Sequence, residues 1–183
     1  MIYEPSEDSF LLQKTLKKFL KNKNKSLSIL DMGSGSGIQA QTCISLGFKK
    51  TLAVDKNPES IKILTEKKIN AVRSNLFSKI KMKKFNLIIF NPPYLPEDPR
   101  EPEDSQLVTT AGKEGYEIII KFLKQATSQL KSEGKILLLF SSLSHPKIIL
   151  KNAKSLGYNY QLISKEKIPF EELYVYEFSL KNS

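Results

Sequence analysis

Apolar residues recur along the chain in two spacings, and each is typical of one kind of secondary structure. Short runs that are apolar at nearly every position favour buried strands, whereas apolar residues three and four positions apart favour helices. Seven segments are predicted strands: 27–30, 51–54, 69–73, 85–90, 135–140, 159–164 and 173–180. Five helices are predicted, over about 7–20, 38–46, 116–130 and 146–157, with one more that begins at Pro58 behind an Asn57 cap.

The order of these segments predicts the fold class. Strands and helices alternate as far as residue 157, which is typical of a parallel sheet with helices on both faces. The last two strands are joined without a helix and are expected to pair antiparallel. We therefore expect an α/β, Rossmann-like, seven-stranded and mostly parallel sheet. The length of 183 residues suits a single domain over 1–183, with 1–26 as an N-terminal helical segment and 91–115 as a long loop.

The first predicted helix is amphipathic. Ser6 is its expected cap, and Glu7 and Asp8 follow in the first turn, where carboxylates interact favourably with the helix dipole. Its apolar positions are expected to form one buried stripe, made of Phe10, Leu11, Leu12, Leu16, Phe19 and Leu20.

Composition narrows the class of protein. The net charge of +10 comes almost entirely from lysines spread along helices and termini, so solvated helix faces explain most of it and the case for a nucleic-acid surface is weak. The single cysteine, Cys43, excludes an internal disulfide and a cysteine-rich zinc site, and it fits a reducing cytoplasm. No apolar run approaches the length of a membrane span, so we expect a cytoplasmic protein without a membrane partner. His145, the only histidine, is expected to cap a helix or lie at the surface.

A glycine-rich loop follows the first strand. Gly33, Gly35 and Gly37 are spaced G-x-G-x-G, which differs from the G-x-G-x-x-G of a dinucleotide site. Asp31 beside them would repel a pyrophosphate but attract a cationic ligand end, such as an amino-acid ammonium. This combination points to S-adenosylmethionine rather than NAD.

Two more polar residues follow neighbouring strands. Asp55 ends the second strand, where its carboxylate could hold two ribose hydroxyls or simply begin a turn. Asn75 follows the third strand, where its amide could meet an adenine edge or serve as a turn residue. Because ligands of such sheets bind at the carboxyl ends of the strands, both are expected to face the same crevice as the glycine loop.

The segment Asn91-Pro92-Pro93-Tyr94 follows directly on the fourth predicted strand. Its prolines remove two backbone donors and fix φ, so the carbonyls of Asn91 and Pro92 stay available as rigid acceptors beside the Tyr94 ring. Such a site suits a planar NH2 group, either an amide or the exocyclic amine of a base, because its two hydrogens need acceptors and its flat face needs a stacking partner. Alternatively, the segment is a stiff loop with a surface tyrosine.

Together, these motifs resemble the class I S-adenosylmethionine-dependent methyltransferases that methylate amino groups. More narrowly, segments 3–12 (Tyr3 to Leu12) and 111–115 are similar to the short HemK-like protein-glutamine methyltransferases of archaea and eukaryotes, which modify the Gly-Gly-Gln glutamine of class I release factors. The family usually has Asp where Asn75 stands and Gly where Lys113 stands.

The resemblance implies roles for individual residues. Catalysis would rest on Asn91, Pro92 and Tyr94, with Asn91 binding the substrate amide. The implied cofactor-binding residues are Ser9, Asp31, Gly33, Gly35, Gly37, Asp55, Asn75, Leu76 and Asn91. Methyl transfer by in-line displacement requires alignment of the reacting atoms, and neither a metal nor a covalent nucleophile. The family often works with a small zinc-binding activator protein, and the expected docking place is the exposed edge of the third strand, 69–73.

Two other functions compete with this interpretation. A methyltransferase for amino groups of nucleic acids, at adenine N6 or guanine N2, would need the same acceptor geometry and a flipped base. Segment 97–104 contains one basic residue, Arg100, and five acidic residues, so its negative charge disfavours the binding of phosphates. The acidic residues are Glu97, Asp98, Glu101, Glu103 and Asp104. A non-enzymatic cofactor-binding subunit is the other alternative, and the intact Asn91 and Tyr94 count against it.

Overall fold

The computed structural model describes residues 4–81, 84–95 and 114–181, and these form a twisted sheet between two layers of helices. The strands are β1 (Ile29–Met32), β2 (Thr51–Asp55), β3 (Ala71–Arg73), β4 (Phe85–Phe90), β5 (Leu130–Ser141), β6 (Tyr158–Ile168) and β7 (Glu171–Leu180). The helices are α1 (Glu7–Leu20), α2 (Ile38–Ser45), α3 (Pro58–Glu66), α4 (Glu117–Ala126) and α5 (Pro146–Ser155), with a 3-10 turn (Ser142–Ser144) before α5.

The strand order places a crevice at the centre of the sheet. The order is β3-β2-β1-β4-β5-β7-β6, with β1 to β5 parallel and β7 antiparallel to both of its neighbours. The chain winds outward in one direction from β1 and in the other from β4, so the switch point lies between these two strands, where ligands of such folds bind. The predicted fold class and the antiparallel last pair are confirmed.

Side chains of the central strands alternate between the two faces of the sheet, which gives each face its own apolar layer. On one face, Leu87 and Ile89 belong to a buried cluster with Leu12 and Leu16 of α1. On the other face, Ile88 and Phe90 pack in a cluster that includes α4 and α5 through Phe122 and Ile149. Full burial of each such side chain contributes about 1.5–3 kcal/mol, so the sheet is fixed from both sides.

Several predicted boundaries need correction. The first strand begins at Ile29 and includes Asp31, which pairs with Ala53 and Ile89 and so lies within the sheet instead of in the loop after it. The predicted helix over 116–130 ends at Ala126. The predicted turn at Gly134 lies inside β5, at a register irregularity between β4 and β5.

The N-terminal helix departs from its predicted apolar stripe at one position. Phe10 is 54% exposed, whereas Leu11, Leu12, Leu16 and Leu20 are buried. Residues 8, 11, 12 and 15 face the core, and position 10 points away from that stripe because it lies two residues from both 8 and 12. Ser6 is the N-cap residue, but its hydroxyl donates to the Glu7 carboxylate and makes no capping bond.

Other local predictions hold. The Asn57 side chain accepts a hydrogen bond from the Glu59 amide at 2.9 Å, and Cys43 is fully buried on α2. His145 occupies the N-cap position of α5 without a capping bond, and its Nε2 atom lies 3.4 Å from the Glu114 carboxylate. Within the described ranges, every helix is too short or too polar to span a bilayer.

Candidate active site

A cavity of about 770 Å³ opens at the carboxyl ends of the central strands. Its volume is in the range of sites that bind cofactors and other small ligands. The structure brings ten of the predicted site residues together in its wall: Ser9, Asp31, Gly33, Gly35, Asp55, Asn75, Leu76, Asn91, Pro92 and Tyr94.

Gly37 is the predicted cofactor residue that does not reach this wall. It is the N-cap of α2 with φ of 85°, and an added Cβ atom would lie 2.7 Å from Leu64 Cδ2. The missing side chain of Gly37 therefore allows the start of α2 to pack closely against Leu64 of α3. By contrast, Gly33 has φ of 62° and lines the cavity, where a Cβ atom would lie 3.1 Å from the Phe90 ring.

Asp31 is a buried carboxyl group at the base of the cavity, only 2% exposed. Its Oδ2 atom accepts a hydrogen bond from the Ala40 amide at 3.0 Å. Burial raises the pKa of Asp31 to about 7 and the nearby Asp55 charge adds to this, while hydrogen bonds from Ser34 and Ala40 oppose it. A cationic ligand group in the cavity would therefore find a carboxyl that ionises readily in its presence.

Asp55 is oriented by two backbone amides. Its Oδ2 atom accepts from Gly35 N and its Oδ1 atom from Asn57 N, both at 2.8 Å. The contact with Asn57 is the turn predicted as one alternative, and the contact with Gly35 fixes the glycine loop to the end of β2. A carboxylate has about four acceptor sites, so two remain for hydroxyl donors of a ligand.

The wall beyond β3 is formed by residues 74–76. Asn75 is exposed, while Leu76 is buried and has φ of 48°. The Ser74 hydroxyl holds this turn, since it donates to the Leu76 carbonyl at 2.9 Å and accepts from Lys79 N at 3.0 Å. An apolar side chain and an amide thus lie side by side, which suits the face and the polar edge of a flat ring.

Asn91 is held by a residue far away in the sequence. Its Nδ2 atom donates to Asp8 Oδ2 at 3.0 Å, and the Tyr94 hydroxyl donates to the same oxygen at 3.3 Å. In this arrangement the NH2 end of Asn91 faces Asp8, whose carboxyl oxygen acts as the acceptor. The Oδ1 atom is then left buried, with no hydrogen-bond partner in the described part of the chain. The Tyr94 carbonyl accepts from Ser144 Oγ at 2.8 Å, which ties the segment to the turn after β5.

Four buried side-chain polar atoms lack a hydrogen-bond partner among the described residues, and three of them belong to residues that line this cavity. They are Asn91 Oδ1, Gln39 Oε1 and Glu171 Oε2. Buried acceptors without donors are costly, and most native groups of this kind are satisfied. Three acceptor atoms on residues of the cavity wall are therefore without a hydrogen-bond donor in the described part of the chain.

Three polar residues of this wall that shape the hydrogen bonding of the site were not predicted as site residues from the sequence. Asp8 was predicted only as an acid favoured by the helix dipole, although its place on the core-facing side of α1 could have singled it out. Gln39 lies among apolar residues at the start of α2, and its Nε2 atom donates to the Ser9 carbonyl at 2.9 Å. Glu171 carries no sequence signal that distinguishes it from the adjoining Glu172.

A family comparison agrees with this geometry. The profile of the family described as methyltransferase small domain matches residues 8–167. The chain belongs to this family. The predicted class of enzyme, a methyltransferase that uses S-adenosylmethionine, is thereby confirmed.

Individual relatives cover most of this methyltransferase. A Methanocaldococcus jannaschii protein, whose provisional name is protein N5-glutamine methyltransferase, is 39% identical over 95% of this chain and 89% of its own length. Methyltransferase HEMK2 of Homo sapiens is 27% identical over 85% of this chain and 79% of its own length.

A solved structure has the same fold. It is the Mtq2–Trm112 complex of E. cuniculi, responsible for methylation of the eRF1 translation termination factor. The match has a TM-score of 0.77 at 23% identity and covers 98% of this chain and 99% of that one.

Some predicted features fall outside the described residues. These are Tyr3 in the N-terminal motif, the acidic residues within 97–104, and Ala111, Gly112 and Lys113. The roles of the individual site residues stay predictions.

Proposed function

We propose that this enzyme transfers a methyl group from S-adenosylmethionine to the side-chain amide nitrogen of a glutamine in a class I translation release factor. The observation that carries the proposal is the Asn91 Oδ1 atom, a buried acceptor without a partner in the described part of the chain. The names of the relatives support the same reaction and the same kind of substrate.

The residues of the cavity fit the cofactor, which when bound supplies a methyl group on a positively charged sulfur. Asp55 has acceptor sites for the ribose hydroxyls, and Asn75 with Leu76 would hold the adenine. The amino-acid end would lie between Ser9 and the glycine loop at Gly33 and Gly35, beside the carboxyl of Asp31 and the free oxygen of Gln39. Carboxylate and amide oxygens are suitable acceptors for an ammonium group.

Asn91 and Pro92 would act on the substrate amide. The lone pair of an amide nitrogen is delocalised, so the nitrogen becomes nucleophilic only as its geometry changes towards tetrahedral. Asn91 Oδ1 and the Pro92 carbonyl would accept its two hydrogens and favour that change, and Tyr94 would pack against the flat amide. The nitrogen gains the methyl carbon as the carbon–sulfur bond breaks and its electron pair returns to sulfur, and the nitrogen loses one proton to solvent, which gives a monomethylated amide and a neutral thioether.

Asp8 would be a positioning residue for this step. It binds the NH2 end of Asn91 and the hydroxyl of Tyr94 through one oxygen. Without it, the Asn91 amide could rotate and present a donor where an acceptor is required. Positioning of this kind accounts for a large part of catalysis in reactions that need alignment alone.

A partner chain at the outer edge of β3 is part of the proposal. The E. cuniculi relative was solved as a complex with Trm112, and β3 is an end strand of the described sheet. An unpaired strand edge can add a strand from another chain. We propose that a small zinc-binding activator docks there.

The acceptor assay tests the proposed function directly. The enzyme, purified with its partner chain, is offered S-adenosylmethionine with a labelled methyl group and, in parallel, a release factor, ribosomal RNA or DNA. Label is expected in the release factor alone. Label in adenine or guanine of the nucleic acids, with none in the release factor, would replace the protein-glutamine function by its nucleic-acid rival.

A further inference from the structure

The start of β7 contributes an unexplained acceptor to the active-site cavity. Glu171 lines the cavity, and its Oε2 atom is buried with no hydrogen-bond partner among residues 4–81, 84–95 and 114–181. The adjoining Glu172 differs, because its carboxylate accepts from the Tyr174 hydroxyl at 2.8 Å and lies 3.5 Å from Lys165 Nζ. A buried carboxylate oxygen without a donor destabilises the free protein, so a role in binding explains it better than a role in folding.

The hairpin that carries Glu171 also exposes an aromatic ring. Residues 169 and 170 join β6 to β7, and Phe170 is 100% exposed with φ of 70°. The flanking residues Ile168 and Glu171 both line the cavity, so Phe170 lies at its rim. Exposed aromatic side chains beside a binding pocket are typical anchors for a protein partner.

We propose that this β6–β7 tip, residues 168–171, binds the substrate polypeptide on either side of the methylated side chain. Glu171 Oε2 accepts a hydrogen bond from a backbone N–H of that polypeptide, and Phe170 packs on its surface. This inference rests on the proposed function, because a polypeptide whose side chain enters the cavity must carry its backbone across the rim. Every residue other than proline supplies a backbone N–H donor there.

Glu171→Met separates binding from folding, since methionine has a similar shape and no acceptor oxygen. We expect kcat/KM for the release factor to fall about 10-fold or more, mainly through KM, because the hydrogen bond from the substrate backbone is lost. The affinity for S-adenosylhomocysteine should be unchanged, and the melting temperature should be equal or higher, because a buried unpartnered oxygen is removed. Glu171→Gln keeps an acceptor and should recover most of the activity, while Glu172→Gln is the matched control and should behave as wild type.

Phe170→Ala tests the second contact. We expect a several-fold rise in KM for the release factor without a change in kcat. Leu162→Ala is its matched control, since Leu162 is an exposed apolar residue of the same hairpin (43% exposed) outside the cavity wall.

The outcomes distinguish this inference from the proposed function. If wild type methylates the release factor and Glu171→Met does so with unchanged KM, the inference fails and the proposed function stands. Equal losses in Glu171→Gln and Glu171→Met would also overturn it, because the bound group would then be a cation. A lower melting temperature in Glu171→Met, with weaker binding of S-adenosylhomocysteine, would assign Glu171 to the fold. No methylation of the release factor by wild type would contradict both proposals.

Discussion

At the scale of single residues, the site depends on how buried polar atoms are paired. Asp55 and Asp8 are oriented by donors from other parts of the chain, while Asn91, Gln39 and Glu171 each leave one oxygen without a partner in the described structure. Paired groups fix the geometry, and the unpaired acceptors are the atoms to which we assign ligand binding in our proposals. Pairs that join distant parts of the chain were invisible in the sequence: Asp8 and Asn91 are 83 positions apart.

Asp8→Asn tests the positioning role of that contact. Asp8 accepts from the Ser9 amide through Oδ1 and from Asn91 through Oδ2. An asparagine, with one oxygen and one NH2 group, cannot accept at both places, so the Asn91 amide is no longer fixed with its oxygen free. We expect kcat to fall about 10- to 100-fold, with unchanged affinity for S-adenosylhomocysteine measured by calorimetry. In the double variant with Asn91→Ala the losses should not add, since both residues act through one atom. Fully additive losses would show that Asp8 acts independently of Asn91.

Asp31 makes the stability of the fold depend on pH. Its pKa is about 7 in the folded protein against an ordinary value of 3.8, so the folded state binds more protons between these values. Raising the pH through this window therefore destabilises the fold, by about 3 kcal/mol between pH 5 and pH 8. Asn at position 31 cannot ionise but can still accept from Ala40, so the free energy of unfolding of Asp31→Asn should not fall in this way between pH 5 and pH 8. Chemical denaturation of wild type and Asp31→Asn at both pH values measures the free energy of unfolding. An equal change with pH in the two proteins would contradict the prediction.

At the scale of elements, sequence patterns predicted those bounds of helices and strands that interactions between neighbouring residues determine. The apolar run 85–90 is strand β4 with the predicted bounds, and Pro58 begins α3 behind its Asn57 cap, because burial on both faces and capping act over a few residues. The predicted bounds were wrong where contacts with distant parts of the chain determine the end of an element. Asp31 looked like a loop residue, yet the Ala40 amide makes it acceptable inside β1, and pairing with β4 and β7 extends β5 beyond its apolar centre.

Ala71→Pro tests the partner edge of β3. Asn70 and Ser74 make the bonds of this strand to β2, so by alternation the Ala71 amide points to the outer edge. Proline there removes only a donor that the sheet does not use. We expect the variant to melt near the wild-type temperature but to lose the partner chain in co-purification, while Ala71→Ser retains it. Retention of the partner by Ala71→Pro would exclude strand addition at this edge.

At the scale of the whole molecule, one cavity collects residues from α1, from the ends of four parallel strands and from the β6–β7 hairpin. The parallel sheet made the meeting of Asp31, Asp55, Asn75 and Asn91 predictable, because the carboxyl ends of its strands share one edge. The place of Glu171 in the cavity wall could not be predicted, since it depends on the antiparallel return of β7 beside β5. The single domain over 1–183 stays a prediction.

The most direct test of the central claim locates the methyl group on the release factor. Wild type and Asn91→Ala are incubated with S-adenosylmethionine and the release factor, and the methylated peptide is sequenced by mass spectrometry. We predict one methyl group on a glutamine amide with wild type and a loss of at least about 100-fold in turnover with Asn91→Ala, whose binding of S-adenosylhomocysteine is nearly unchanged. A methyl group on any other atom, or near-normal turnover by Asn91→Ala, would contradict the account.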